Sequence, residues 1–543
     1  MNTHSHSRLD LHSLLHIGGI FAFILLLGGE ITWAESPTWQ QLSFGGDFSQ
    51  VRPNQYQISS DSRWVVFSHD PDFENVDQLY SVPLDGSAPP QRISGLLGAS
   101  SLGSFEVTPD GARVVYTARQ DDPENTDLYR VSIEGGTILR LNLPGEGSVG
   151  SFRVSPDGTL VAYVSFGNAD ISLSVVPLAG GTPTLLTSVP YVSNQSLSWH
   201  EYRFTPTSDR IVFGAYDSSE VYSLHSVAVQ GGSSMSLGVV SDGGDNTFIR
   251  FEISPDGQSV VYPTLNGFSF DGLYSVPVNG GTRTSLLGAL PGRPDWFRIT
   301  ADSSRVVHLA QGHQGAEAWG LYSTPIGGGL VDLVANLGTG NSQPDVELDS
   351  SGNRLVFTFD YETAGIREIF SVSSAGGAPV KLNPTLPGGA SVSAFKISAD
   401  SQWVVYRADQ LLPGAPMLWH TPIGGPASEN QAVFFGSPVS QAVSSAWRID
   451  PRSDRVVVLS NLFFVDGVRR PWRAFFTGQE DELVDETEFV AGGEAITFRF
   501  APNGDIVYRA DQNLDQKFEL FSVTFPPDQI FADGFESGDV EAW

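Results

Sequence analysis

The chain of 543 residues contains no cysteine and only three methionines. Without cysteine it has no disulfide framework, no thiolate metal site and no cysteine for lipid attachment. Basic residues are also scarce, because 30 Lys and Arg stand against 61 Asp and Glu and give a formal charge of −31. This charge repels nucleic acid and anionic membrane surfaces, so we expect neither as a partner.

Long apolar runs are missing too, and the most apolar stretch covers only residues 17–29. It follows a polar segment that contains Arg8 and precedes Ala34, which is the pattern of a signal peptide over residues 1–34. The run is too short to span a bilayer. We therefore predict an exported protein, periplasmic, on the cell surface or extracellular, with no transmembrane segment.

What the chain does contain is a repeated unit, whose clearest copy is FEISPDGQSVVYPTLNGFSFDGLYSVPVNGG at residues 251–281. The alternation at its start suits a short strand, and the following Ser-Pro-Asp-Gly is a tight turn. A β-branched and aromatic strand, a looser loop, the strand LYSVPV and a Gly-Gly turn come next. Each unit therefore predicts a four-stranded antiparallel meander.

Ten copies of this unit occur, and their turn residues are 46 to 52 residues apart. The same slot of the first strand is aromatic or branched in every copy: Tyr56, Phe105, Phe152, Tyr202, Phe251, Phe297, Val346, Phe395, Trp447 and Phe498. A four-stranded sheet buries its faces only by stacking on further copies. A period near fifty with four strands predicts an all-β fold, a β-propeller of about ten blades.

The two ends of the repeat region complement each other. Residues 38–43 resemble an isolated fourth strand, whereas the last unit ends before its own fourth strand. We therefore predict that the N-terminal strand completes the last blade, so that residues 38–525 form a single closed ring. The alternative of two smaller rings would need a second closure near residues 285–300, where the sequence shows no linker.

The motifs SPDG, LYSVP and Gly-Gly resemble the TolB-type, WD-like propeller repeat of secreted and periplasmic bacterial proteins. The resemblance implies a propeller and leaves activity open, since such repeats occur in scaffolds, binding proteins and enzymes. The acidic tail, residues 526–543, contains DGFESGD and resembles the ending of assorted secreted proteins of Gram-negative bacteria, which implies a sorting signal. The alternative is a frayed acidic terminus.

Candidate binding residues are the carboxylates of three loops between second and third strands, which we expect on one sector because units 1, 2 and 10 are neighbours in a closed ring. They are Asp70, Asp72, Glu74, Asp77, Asp121, Asp122, Glu124, Asp127, Asp511 and Asp515. Oxygen ligands at alternating positions suit Ca²⁺, although the first loop lacks the Gly and the distal Glu of a complete calcium loop. The alternative is a set of solvated acidic loops.

Histidine offers little chemistry in this sequence. His308, His225 and His420 replace residues of the packing columns, while His69, His200 and His313 lie in or beside loops without a partner at ligand spacing. No G-x-S-x-G motif and no non-repeat stretch long enough for a hydrolase domain occur.

We therefore predict a non-enzymatic, monomeric protein- or glycan-binding scaffold that uses its loop-rich face, with Ca²⁺ as the one candidate cofactor. One alternative is a carbohydrate-active lyase or hydrolase with carboxylates at the channel mouth. A purely structural secreted protein is the third.

Overall fold

The structure is a computed structural model. It describes residues 38–43, 51–70, 76–97, 102–167, 170–190, 201–216, 221–241, 250–266, 269–288, 293–311, 318–339, 343–433, 447–460, 470–476, 482–483, 495–510 and 519–525. The predicted signal peptide and the acidic tail lie outside the described residues. The repeat region forms one compact unit, Pro37–Phe525.

The described residues form forty strands and one 3-10 helix, Ala427–Glu429. The strands of blades 1 to 5 are β2 (Val51–Ile58), β3 (Trp64–His69), β4 (Gln78–Pro83) and β5 (Gln91–Arg92); β6 (Leu102–Val107), β7 (Arg113–Ala118), β8 (Asp127–Ser132) and β9 (Leu139–Arg140); β10 (Ser148–Val154), β11 (Leu160–Phe166), β12 (Asp170–Pro177) and β13 (Thr184–Pro190); β14 (Tyr202–Phe204), β15 (Arg210–Tyr216), β16 (Tyr222–Ala228) and β17 (Met235–Ser241); β18 (Glu252–Ile253), β19 (Ser259–Asn266), β20 (Ser269–Pro277) and β21 (Thr284–Ser285).

The strands of blades 6 to 10 continue the pattern, and blade 10 takes its fourth strand from the chain start. They are β22 (Arg293–Ile299), β23 (Arg305–Gln311), β24 (Trp319–Pro325) and β25 (Asp332–Gly338); β26 (Asp345–Leu348), β27 (Arg354–Phe359), β28 (Glu368–Ser373) and β29 (Val380–Lys381); β30 (Val392–Ile397), β31 (Trp403–Ala408), β32 (Met417–Pro422) and β33 (Gln431–Ala432); β34 (Trp447–Ile449), β35 (Arg455–Ser460), β36 (Arg470–Phe475) and β37 (Glu482–Leu483); β38 (Ala495–Phe500), β39 (Ile506–Ala510), β40 (Glu519–Thr524) and β1 (Thr38–Gln41).

Each blade is an antiparallel sheet whose strands pair in chain order, and the predicted all-β propeller is confirmed. Blades 4 and 5 depart from this rule by joining into one sheet of eight strands. They do so through a single parallel pairing of Ser241 in β17 with Leu265 in β19. No sequence pattern predicts this bridge, because it depends on where the end of a long outer strand meets the next blade.

The N-terminal strand closes the ring as predicted. β1 pairs antiparallel with β40 along its whole length, from Thr38 opposite Thr524 to Gln41 opposite Phe521. Two residues after Gln41, the Ser43 hydroxyl accepts a hydrogen bond from the backbone N–H of Leu520 at 2.9 Å. Leu42 is fully buried in the core between blades 10 and 1.

A hydrophobic cluster lies at each of the ten interfaces between consecutive blades. One of them joins blade 5 to blade 6 through Leu273 and Phe297, in the region where two rings would have to separate. Another joins blade 10 to blade 1, where the Tyr56 hydroxyl donates to the carbonyl of Val507 at 3.2 Å. The two-ring alternative is therefore wrong.

The first strands surround the central channel. Each is the terminal strand of its blade, and first strands of neighbouring blades approach one another, as β2 and β6 or β18 and β22 do. Every first strand ends in the turn that SPDG predicts. In blade 3, for example, the Asp157 carboxylate accepts hydrogen bonds from the Ser155 hydroxyl at 2.6 Å and from the backbone N–H of Thr159 at 3.0 Å.

Candidate functional site

The structure describes six of the ten predicted acidic residues. Asp72, Glu74, Asp511 and Asp515 lie outside the described residues. Of the rest, Asp77 and Asp127 are buried, Asp70 is half-buried, and Asp121, Asp122 and Glu124 line the loop of blade 2. Blades 1, 2 and 10 are neighbours in the ring, as expected.

Two of the blade 2 carboxylates, Asp122 and Asp127, bind other groups of the fold. Asp122 accepts hydrogen bonds from the backbone N–H of Glu124 at 2.8 Å and from the Asn125 amide at 2.9 Å, which lowers its pKa. Asp127 forms a 2.6 Å ion pair with Arg140 and accepts from the Asn142 amide at 2.9 Å. Across the described residues, no group of three or more His, Asp or Glu side chains could hold a metal ion.

The described histidines pack against aromatic rings. His308 stacks on Tyr322 and His225 on Phe213, while His420 stacks on Phe476. Burial lowers the pKa of His308 to about 3 and that of His420 to about 4. His69 is also fully buried, and His200 and His313 lie outside the described residues.

A different set of side chains surrounds the channel, and we call it the channel belt. Its members directly follow the aromatic slot of the first strand in each blade: Gln57, Glu106, Arg153, Arg203, Glu252, Arg298, Glu347, Lys396, Arg448 and Arg499. Every member is charged or is glutamine. The sequence contains this signal, because the slot repeats in all ten units, but the prediction above rested on the apolar slots and did not include it.

Belt side chains with acceptor oxygens reach the first strand of the next blade. The Gln57 amide accepts from the backbone N–H of Val107 at 2.9 Å and donates to the carbonyl of Phe105 at 2.8 Å. Glu106 accepts from the N–H of Val154 at 3.4 Å in the same way. These side chains satisfy backbone groups on the channel-facing edge of a strand, which would otherwise need water.

Four of the six belt cations contact an aromatic ring of the next blade. The charged groups lie over the ring centroids at 5.7 Å for Arg153 on Tyr202, 5.3 Å for Arg203 on Phe251, 5.3 Å for Lys396 on Trp447 and 4.9 Å for Arg499 on Tyr56. Each such contact contributes about 0.5–1 kcal/mol at an accessible site. The belt therefore also links successive blades around the ring.

The belt has the opposite charge to the whole protein, since it contains six cations and three glutamates. In blades 2 to 7 carboxylates alternate with one or two cations, as where Arg298 forms a 3.0 Å ion pair with Glu252. Blades 8, 9 and 10 differ. There Lys396, Arg448 and Arg499 follow one another without a belt carboxylate, and the neutral Gln57 comes next. We call these three cations the basic arc.

The basic arc lines a cavity of about 540 Å³ at the turn end of the first strands. Besides the three cations, its lining residues are Ile397, Ala399, Ile449, Asp450, Pro451 and Phe500. The buried Asp450 is the only carboxylate among them, and it forms a 2.9 Å ion pair with Arg452. Among the described residues, no carboxylate forms an ion pair with Arg448.

A second cavity of about 380 Å³ lies at the other end of the first strands of blades 6 to 8. Trp296, Asp345, Glu347 and Phe395 are among its lining residues. Partial burial raises the pKa of Glu347, against the opposing influence of Lys396. Asp345 forms a 3.0 Å ion pair with Arg367.

The chain matches no protein-family model and no curated protein. It is similar to several solved structures. A eukaryotic initiation factor is 12% identical, with 79% of this chain and 95% of that chain covered and a TM-score of 0.45. An oligogalacturonate lyase in complex with manganese is 12% identical, with 70% and 99% covered and a TM-score of 0.33. A putative TolB from Agrobacterium tumefaciens is 17% identical, with 48% and 85% covered and a TM-score of 0.26. These similarities concern the fold alone.

Proposed function

We propose that the protein is a non-enzymatic binding propeller whose protein or glycan partner presents anionic groups to the central channel at the basic arc. The observation that carries the proposal is the run of three consecutive cations around a cavity of about 540 Å³. The channel thus replaces the acidic loop-rich face as the main binding surface, because Asp121, Asp122 and Asp127 of that face already form ion pairs or hydrogen bonds within the fold.

Electrostatics make the basic arc selective. A surface with a formal charge of −31 repels anions at long range, whereas a concave site lined with cations attracts them locally. A partner that is anionic over a broad face would be rejected, and one that inserts a narrow anionic segment into the channel would be accepted. Binding should therefore weaken as salt concentration rises.

The test compares wild type with the triple variant Lys396→Gln, Arg448→Gln, Arg499→Gln on arrays of acidic glycans and in pull-downs from envelope extract. We expect ligands that wild type retains and the triple variant loses. Arg113→Gln is the matched control, because Arg113 is a half-exposed cation at the start of β7 in blade 2 and does not line the cavity of the basic arc. Equal retention by wild type and the triple variant would refute the proposal.

Export is part of the same proposal, with residues 1–34 as signal peptide and residues 526–543 as sorting segment. Within the described residues, no helix has the length and apolar character needed to cross a bilayer. Cell fractionation of the full chain and of a variant that lacks residues 526–543 tests both assignments. We also propose a monomer, which light scattering of the purified protein would check.

A second candidate function is a carbohydrate-active enzyme at the cavity of about 380 Å³. It is favoured by Glu347, because a raised carboxyl pKa is what a general acid needs, and by the neighbouring Trp296, on which a sugar could stack. Glu347→Gln should then abolish breakdown of a glycan that wild type degrades. Persistence of the breakdown in this variant would exclude Glu347 as the acid.

A further inference from the structure

The channel belt shows how this fold holds a carboxylate at a first strand. In blades 5 and 6, Glu252 accepts from the backbone N–H of Ile299 at 3.1 Å and from the guanidinium of Arg298 at 3.0 Å. The carboxylate thus lies between two donors of consecutive residues on one strand, a belt arginine and the N–H that follows it. Charge-assisted hydrogen bonds of this kind are among the stronger ones in proteins.

Blades 9 and 10 repeat these two donors. Arg448 and Ile449 occupy in β34 the positions that Arg298 and Ile299 occupy in β22, because Ile449 pairs with Val456 as Ile299 pairs with Val306. The following pair, Arg499 and Phe500, has the same register in β38, where Phe500 lies opposite Ile506. The N–H groups of Ile449 and Phe500 therefore face the channel.

Blades 9 and 10 differ from blade 6 in the belt residue that the preceding blade places beside these two donors. The belt position before β34 is Lys396 and the one before β38 is Arg448, and both side chains carry donors only. Neither can accept a hydrogen bond as Glu252 does. Among the described residues, no acceptor is recorded for the N–H of Ile449 or of Phe500. Both residues line the cavity of the basic arc.

We propose that blades 9 and 10 each bind one carboxylate of a ligand, in the place that Glu252 fills in blade 6. The first subsite consists of the N–H of Ile449 and the guanidinium of Arg448, with Lys396 beside it; the second consists of the N–H of Phe500 and the guanidinium of Arg499. The ligand is therefore a polycarboxylate with neighbouring charges at the spacing of two adjacent blades. This inference rests on the proposed function and specifies its anion.

A linear glycan with a carboxylate on successive sugars fits these subsites better than an acidic peptide. The donors belong to rigid strands and recur from blade to blade, so a chain whose sugar rings fix the carboxylate spacing loses less conformational entropy on binding. The cavity walls between the cations include Ile449, Pro451 and Phe500, which can pack against the C–H faces of sugar rings.

The decisive variant is Lys396→Glu, because it supplies from the chain itself the carboxylate that the first subsite lacks. Isothermal titration with a galacturonate tetramer at fixed salt should show at least a tenfold weaker affinity than wild type. The thermal midpoint should rise, since the new carboxylate accepts from Arg448 and Ile449. Lys396→Gln, whose amide can accept a backbone N–H as Gln57 does, should weaken binding while the fold is retained, and so should Arg448→Gln. The control Arg113→Gln should bind like wild type.

Several outcomes separate this inference from the proposed function. Unchanged uronate affinity in folded Lys396→Glu and Arg448→Gln proteins would overturn the two subsites. Tighter binding of a poly-glutamate of equal charge would overturn the glycan class. If sulfated glycans bound wild type and failed to bind the triple variant, while uronates did not bind at all, the basic arc would remain an anion site and the carboxylate assignment would be wrong.

Discussion

At the scale of single residues, five serines adopt the left-handed backbone conformation that elsewhere in the same turn is taken by glycine. Their φ angles lie between 59° and 67°: Ser62, Ser208, Ser303, Ser401 and Ser453. Each hydroxyl accepts a hydrogen bond from a backbone N–H in the turn of the preceding blade, as Ser208 does from Asp157 at 3.2 Å. An interblade contact thus offsets the backbone strain.

This compensation predicts different results for two substitutions of Ser208. Ser208→Gly loses the hydrogen bond and also relieves the strain, so the free energy of unfolding should change by less than about 0.5 kcal/mol. Ser208→Ala loses the bond and keeps φ near 60°, and it should cost about 1 kcal/mol. Urea unfolding of the two variants would check this, and equal stabilities would contradict it.

Buried histidine predicts acid sensitivity. The pKa of His308 is about 3 in the folded protein and about 6.5 in an unfolded chain. Between these values the unfolded chain binds a proton that the folded protein does not, so the free energy of unfolding falls as pH decreases below about 6.5, by about 1.4 kcal/mol per pH unit.

His308→Phe should remove this contribution, because phenylalanine already fills the equivalent slot at Phe357. The difference in unfolding free energy between pH 7.5 and pH 5 should then be smaller than in wild type by about 2 kcal/mol. Urea unfolding at the two pH values measures it. An unchanged pH dependence would show that other groups cause the acid sensitivity.

At the scale of elements, polar side chains join the third strand of a blade to its fourth strand, and we call this contact the polar clasp. In the sequence, the fourth-strand part of the clasp is a polar residue two positions before Asn or Ser. In blade 2, Asp127 pairs with Arg140 at the start of the clasp, and the Asn142 carbonyl oxygen accepts from the N–H of Leu128 at 2.9 Å. In blade 10, Gln41 donates to Glu519 at 3.0 Å. The N-terminal segment thus uses the same clasp as internal fourth strands.

The blade 2 clasp predicts an asymmetry between its two charged partners. Arg140→Gln leaves the buried Asp127 carboxylate without its cation and should cost about 3 kcal/mol. Asp127→Asn leaves an arginine that is 24% exposed and can reach water, so its cost should be smaller. Burial already raises the pKa of Asp127, and Arg140→Gln should raise it further.

Because a raised carboxyl pKa favours the folded protein at low pH, the deficit of Arg140→Gln should be larger at pH 8 than at pH 5. Thermal unfolding of both variants at the two pH values measures this difference. A deficit that is independent of pH would mean that the lost contribution is packing rather than charge.

The elements also show how far the sequence alone could lead. The ten units and the closing strand were predictable because the turn residues and apolar slots recur with a period near fifty, and Gln40 to Ser43 matches internal fourth strands. The bridge between Ser241 and Leu265 depends on a tertiary contact and left no periodic trace. The clasp has a recurring sequence form, but the ion pair of Asp127 with Arg140 follows only from the tertiary structure. The channel belt did leave a periodic trace in the sequence. Its charge varies from blade to blade, however, and the basic arc became apparent only from the order of the blades around the ring.

At the scale of the whole molecule, the ring distributes its stability over ten similar interfaces, of which one is closed by pairing between the two ends of the repeat region. Elsewhere the chain continues from blade to blade, so that separation at one interface leaves both blades tethered. Between blades 10 and 1 the chain connection runs through β1, which is held to the rest of blade 10 only by its non-covalent pairing with β40. Local opening should therefore begin there.

Deletion of residues 38–43 tests this directly. It removes the buried Leu42 and exposes the edge of β40, while the nine other interfaces keep their contacts. Hydrogen exchange should accelerate by at least tenfold in β39 and β40 and remain near wild type in β19, which lies across the ring. Because an open edge can pair with another chain, the variant should also self-associate at high concentration. Uniform acceleration through all blades would instead mean that the ring unfolds as one cooperative unit.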